Sequence, residues 1–240
     1  MTDARSRREA WSVARAGFWS ALVYAGLLVA LDVSFAIMAV ELRGTPWEGM
    51  EVYARTYRGI AFVPQAIGLL AIPALILMLA SIHAHATGSR RPWSAAGLAF
   101  GSGHAILLGC LYFVQVGIVL PALVRGDWQG LDQYVLANPR SLAWGLDYFA
   151  WSVLGIALLF TAFAFHGDGL RRWIRVMLVL NGLANISLIP AFAFQIEALT
   201  LGIALVSWAI GLPLTAVLVA LDFNHIASMA GNDERATGPS

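Results

Sequence analysis

Residues 16–40 read AGFWSALVYAGLLVALDVSFAIMAV, and this run decides the fold. About 20 apolar residues cross the hydrocarbon of a bilayer as a helix, and the run exceeds that length with a single charge, Asp32. It is continuous, whereas membrane strands alternate in short segments, so it predicts a helix. An ionised carboxylate in hydrocarbon is costly and marks a candidate site by default.

Five further runs share this character, at 59–81, 93–120, 141–165, 173–194 and 199–221. They predict an all-α integral membrane protein, a bundle of six transmembrane helices over 16–222. A polar segment over 1–15 precedes it, and a tail over 223–240, rich in polar and small residues, reads as disordered. The first run is longer than the apolar core of a secretory signal, roughly 7–15 residues, and is read as a retained span.

Composition agrees. Of 240 residues, 59% are hydrophobic and 12% charged, and the mean hydropathy is +0.73. Soluble domains carry about 25% charged residues, so this surface faces mostly lipid. The formal net charge of +1 says little about partners. Every cationic side chain is Arg, which excludes a retinal Schiff base or other lysine chemistry. Cys110 stands alone, without a partner for an internal disulfide or a thiolate metal site.

Arginine placement sets the orientation. Arg5, Arg7, Arg8 and Arg15, then Arg90 and Arg91, then Arg171, Arg172 and Arg175 fall on one side, assigned to the cytoplasm. On the other side Arg43, Arg55 and Arg58 are balanced by Glu41, Glu48 and Glu51, and Arg125 and Arg140 by Asp127 and Asp132. Glu197 stands alone there. Both termini are then cytoplasmic. The outer stretch 41–58 reads as a short interfacial helix carrying Trp47, Tyr53 and Tyr57. The stretch 126–139 reads as a surface loop ending in an Asn-Pro turn.

Depth singles out the polar residues. Asp32, Gln65, Gln115, Asp147 and Gln195 come from five spans and fall in one leaflet, the outer. His104, Asn181 and Asn185 lie nearer the midplane. His104, Tyr112 and Gln115 share one broad helical stripe; Asn181 and Asn185, four apart, share a face. The expectation is an outward-facing polar pocket with Asp32, Gln65, Gln115 and Asp147 as walls and His104 and Asn185 as floor, Tyr112 among its ligand-binding residues. The plainer alternative makes the amides interhelical glue, worth about 0.6 kcal/mol each. It makes each aspartate a neutral carboxyl bonded to a neighbouring helix. His83 and His85 read as a solvated helix end. Pro64, Pro73, Pro121, Pro190 and Pro213 free backbone carbonyls that need partners. Gly97 and Gly101 have the spacing of close helix packing.

Nucleotide-loop, dinucleotide, zinc-protease and nucleophile-elbow signatures are missing. No basic patch suggests nucleic acid. No cofactor is legible; only His104 is deep, too few for paired haem histidines.

Tyr112-Phe-Val-Gln115, Pro121-Ala-Leu-Val-Arg-Gly126, Asn138-Pro139 and Leu146-Asp147 resemble segments of a group of uncharacterised bacterial and archaeal six-span membrane proteins of unknown function. Those show Tyr-Phe-x-Gln, a proline turn, an Asn-Pro pair and then an acidic residue, often Glu where this chain has Asp147. The resemblance covers about 40 residues. It implies the same six-helix fold and a prokaryotic cytoplasmic membrane, and carries no activity.

Three functions are open from the sequence. The first is binding or translocation of a small polar or cationic solute, with Asp32 and Asp147 supplying charge and His104 a proton relay. The second is a membrane-embedded enzyme acting on a lipid headgroup through a metal at Asp32, His104 and Asp147. The third is a structural subunit, partnered by another membrane protein or a second copy.

Overall fold

The computed structural model describes residues 2–41 and 47–236, with side chains described over 9–41 and 47–229. The side chains of Arg5, Arg7 and Arg8, and all of Arg43, lie outside the described residues, as do residues 237–240. The described chain is helical, without strands, in the order α1 (Thr2–Glu41), α2 (Met50–Thr56), α3 (Val63–His85), α4 (Arg91–Phe113), α5 (Leu120–Arg125), α6 (Leu142–Ala162), α7 (Leu170–Ile186), α8 (Leu188–Ala193), α9 (Glu197–Ile203) and α10 (Leu212–Ala236). Six stretches are long and apolar enough to cross a membrane: Glu9–Glu41, Gly59–His85, Gly88–Arg125, Leu142–Ala162, Leu170–Ala193 and Glu197–Met229. The protein is a multi-pass membrane protein.

The spans close a ring in chain order. α1 packs on α3, α3 on α4, α4 on α6, α6 on α7, and α7 on α10, which returns to α1. α1 and α6 therefore stand across the ring from each other. The fourth span is the most enclosed and the first the least. Gly155 on α6 and Gly182 on α7 let these two backbones touch: a Cβ built at Gly155 would lie 2.6 Å from the Gly182 carbonyl oxygen.

Two spans change their winding in the half of the bundle away from the arginine-rich loops. Val114–Val119 and Ala204–Gly211 are π-helical, with the wide bonds Leu120 N–H to Gln115 O and Leu212 N–H to Ser207 O. Each segment ends two residues before a proline, Pro121 or Pro213. A proline lacks the N–H an α-turn needs, and its ring crowds the carbonyl four residues back; the wider turn relieves both. Pro121 was expected to end the third span. The helix instead continues through it into α5, the π turn before it accommodating the missing N–H. The helix stops at Gly126, whose φ of +77° suits glycine.

Beyond that turn the outer segments fold onto one another. Met50, Phe62, Val119, Leu123 and Val135 form a second small core, separate from the main one. Trp47, Tyr53 and Tyr57 pack along it with tilted rings, and burial, with Tyr57 beside it, pushes the Tyr53 phenol up to about 12. At the opposite end the tail differs from expectation: α10 runs on to Ala236, so residues 223–236 are helical. Alanine, the strongest helix former, recurs there at 227, 230 and 236, and no proline interrupts the segment.

Candidate functional site

Asp147 lies on the second turn of α6, half-buried, with α4 beside it. The Tyr112 hydroxyl on α4 and the Trp151 indole one turn along α6 are near its carboxyl. Gly68 on α3 leaves the room in which the Tyr112 ring lies; any Cβ there would run into it. The Asp147 Oδ1 is nonetheless buried with no hydrogen-bond partner. Buried polar atoms are almost always paired, so this oxygen has unused capacity.

Trp151 links the carboxyl region to further rings. Trp151 packs on His104 (5.3 Å between centroids) and on Trp208 (5.0 Å). Tyr148, next in sequence to Asp147, packs on Trp144 (5.6 Å) and Phe192 (5.2 Å), and its hydroxyl donates to Thr200 Oγ1 at 3.1 Å. His104 is buried, with Nδ1 2.8 Å from the Ala150 carbonyl. A carbonyl only accepts, so Nδ1 carries the proton and donates.

The amides behave differently. Asn185 Nδ2 donates to Asn181 O (2.8 Å) and Ser207 Oγ (3.0 Å), and its Oδ1 accepts from Trp208 Nε1 (2.9 Å). Asn181 Nδ2 donates to Met177 O and Thr215 Oγ1, and its Oδ1 accepts from Ser207 Oγ at 2.7 Å. Ser152 Oγ reaches the Asn185 carbonyl at 3.1 Å. This network ties α6, α7, the second π segment and α10 together. Gln115 acts on the outer loop: its Nε2 donates to Tyr134 O (2.6 Å) and its Oε1 accepts from Leu136 N (3.1 Å). Gln65 Nε2, oriented as its neighbours require, donates to Ala61 O at 2.8 Å. Gln195 is exposed and donates to Phe192 O at 2.7 Å.

The structure thus brings His104, Tyr112 and Asp147 together around Trp151. It assigns Gln65, Gln115 and Asn185 to helix and loop contacts. Asp32 is half-buried across the ring, its Oδ2 also buried without a partner. Three cavities stand out among the described residues, and none of them contains Asp32 or Asp147. The one nearest Asp147 holds about 230 Å3 and is apolar, between α4 and α6, with Leu111, Leu142 and Leu146 in its wall. Among the described residues no three His, Cys, Asp or Glu side chains come within reach of one metal ion. Asp32, His104 and Asp147 therefore do not form the metal site that the enzyme reading requires.

Sequence reasoning missed Trp151, Trp208, Ser207 and Thr215. A signal existed for the first: Trp151 follows Asp147 by four residues, one helical turn on the same face. The stretch from Gln115 to Asp147 is held together by a chain of local contacts. Gln115 holds the loop, Gly126 turns it, and Asn138 Oδ1 accepts from Arg140 N at 3.0 Å. Ser141 then caps α6 by accepting from Trp144 N, and α6 presents Asp147.

Comparison with protein-family models, with curated proteins and with solved structures finds no match to this chain.

Proposed function

We propose that this membrane protein binds or translocates a small polar or cationic solute, and that Asp147 is its anchor. The supporting observation is the unpartnered, buried Oδ1 of Asp147 next to Tyr112 and Trp151. A carboxylate in low dielectric attracts a cation strongly. The rings of Trp151 and Tyr112 beside it give an organic cation an apolar body to lie against. Together they favour an organic cation over a small hydrated ion, whose water shell the apolar surroundings cannot replace. A proton and the cation compete for the same oxygen, which gives a physical route to proton coupling. The two π segments fit a gate, because wide turns have a weaker bonding pattern and recur at functional sites.

The test is thermal unfolding of the full-length protein in neutral detergent with choline and with tetraethylammonium. A ligand at 100 times its Kd stabilises by about 2.7 kcal/mol. We expect one of the two cations to stabilise the wild type and Asp147→Asn to remove the effect while keeping the unliganded melting temperature. Full stabilisation of Asp147→Asn, or no stabilisation of wild type by either cation, sinks the reading.

A further inference from the structure

We propose a second binding site, at the arginine-rich end, for an amphiphilic anion: a phosphate or carboxylate group on an apolar body. A cavity of about 280 Å3 opens there among the ends of α3, α4, α6, α7 and α10. That lies near the lower limit of small-molecule pockets, about 300 Å3. The arginine distribution assigns this end to the cytoplasmic side.

Its polar wall comes from Arg90, Arg171, Asp222 and His85. Arg90 has no ion pair among the described residues. Arg171 donates to Asp222 Oδ1 at 2.9 Å through Nε alone, so its terminal N–H groups keep the fork that grips an oxyanion. Asp222 is largely buried and tied to that Nε. With His85 counted neutral, two arginines against one aspartate leave a net positive wall. Arg90 is the N-cap of α4 and Arg171 sits in the first turn of α7, so the positive ends of two long helices meet at the same mouth. His85, expected to be solvated, is instead half-buried, its ring 5.5 Å from Phe223. Its Nδ1 lies 3.3 Å from the Ser81 carbonyl, and its Nε2 is buried and unpartnered.

The rest of the wall is apolar, with Phe165, Phe223, Ile226 and Met229. A bare inorganic anion would leave these surfaces wet; an anion on a hydrocarbon body covers both kinds of wall. An anionic phospholipid of the adjoining leaflet and a soluble organic phosphate share this chemistry.

The full-length protein in a neutral maltoside detergent is melted with hexyl phosphate, with phosphatidylglycerol in mixed micelles, and with inorganic phosphate. We expect one or both amphiphiles to raise the melting temperature by several degrees and inorganic phosphate at equal concentration to do little. A shift with phosphatidylglycerol alone assigns a lipid; a shift with hexyl phosphate alone assigns a soluble ligand. Arg90→Gln should weaken apparent affinity about tenfold, the loss of one charge-assisted contact. Ile226→Trp fills the cavity without removing charge and should abolish the shift; it decides the matter if Arg90→Gln does not fold. Asp147→Asn should leave the shift unchanged, which separates this site from the cation site. An undiminished shift in Ile226→Trp, inorganic phosphate acting as strongly as hexyl phosphate, or no shift with either amphiphile overturns the proposal.

Discussion

Asn185 and Asp147 both hold polar side chains inside the same enclosed helix pair, α6 and α7, yet they are bonded in opposite ways. Both Asn185 Nδ2 hydrogens have acceptors and its Oδ1 has a donor, whereas Asp147 keeps one buried oxygen without any. A polar group whose bonds are complete inside the protein works as structure; a solute would have to break those bonds to reach it. A buried group with an open valence has something to offer a ligand. Substitutions in the amide region should therefore change stability and leave binding alone, and substitutions in the carboxylate region should do the reverse.

The largest stability effect should come from the close approach beneath both regions. Gly155→Ala would place a methyl 2.6 Å from the Gly182 carbonyl oxygen and 2.9 Å from the Ile186 nitrogen. Backbone cannot rotate away as a side chain can, so α6 and α7 must separate. About 3 kcal/mol of destabilisation is expected, measured by denaturant unfolding in detergent. Gly26→Ala on α1, with nothing within 4 Å of the new methyl, should stabilise or change nothing. Equal losses at the two positions would show that α6 and α7 are not held at contact distance.

Asn185→Ala ranks next. It removes three hydrogen bonds and leaves Trp208 Nε1 unmatched in the interior. At about 0.6 kcal/mol per bond in a membrane bundle, plus the unmatched donor, roughly 2–3 kcal/mol is expected. Choline or tetraethylammonium affinity should stay within about threefold of wild type after correction for stability, one hydrogen bond or less. A selective loss of affinity would place Asn185 in the binding site and erase the distinction between the regions.

Gln115→Ala should cost less, about 1 kcal/mol. Its amide bridges the third span to Tyr134 and Leu136, outside the most enclosed part of the bundle. Hydrogen exchange should rise at the Leu136 amide and leave the α6–α7 amides protected. If protection at Leu136 is unchanged, the loop is held by its packing on the 50–62 segment rather than by Gln115.

Much of this was legible from residue order because the membrane imposes one period and one length. Six apolar runs gave six helices, and the i, i+4 spacing of Asn181 and Asn185 placed them on one face, where the second donates to the backbone of the first. Helix ends were less legible. Pro121 was read as a stop, although a π turn before it carries the helix through to Arg125, and local sequence does not say which outcome a proline takes. Whether a buried polar residue has its bonds completed depends on partners far along the chain: Ser207 lies 22 residues from Asn185 and 26 from Asn181. Serine and tryptophan in an apolar run raise no flag, as they occur in membrane helices without any site. The cavity at the arginine-rich end is harder still, because five elements meet there and the sequence shows only ordinary cationic helix ends.

Asp32→Asn carries the smallest expected change and divides the carboxylate region most sharply. A single pocket joining Asp32 and Asp147 would make both charges necessary for a cation. The ring instead sets α1 and α6 across from each other, and none of the three cavities joins the two carboxyls. Two separate carboxylates then predict unequal results: Asp147→Asn loses cation binding, while Asp32→Asn alters affinity by less than about threefold and stability by about 0.5 kcal/mol or less. The small stability term follows because an amide nearly matches the carboxyl in shape and carries no charge to desolvate. Loss of binding in both variants would mean that the outer half opens into one hollow spanning the ring, with a gate at the π segments. Loss in neither would leave both aspartates as packing elements of the scaffold, and the aromatic surroundings of Asp147 would then serve only to fill space.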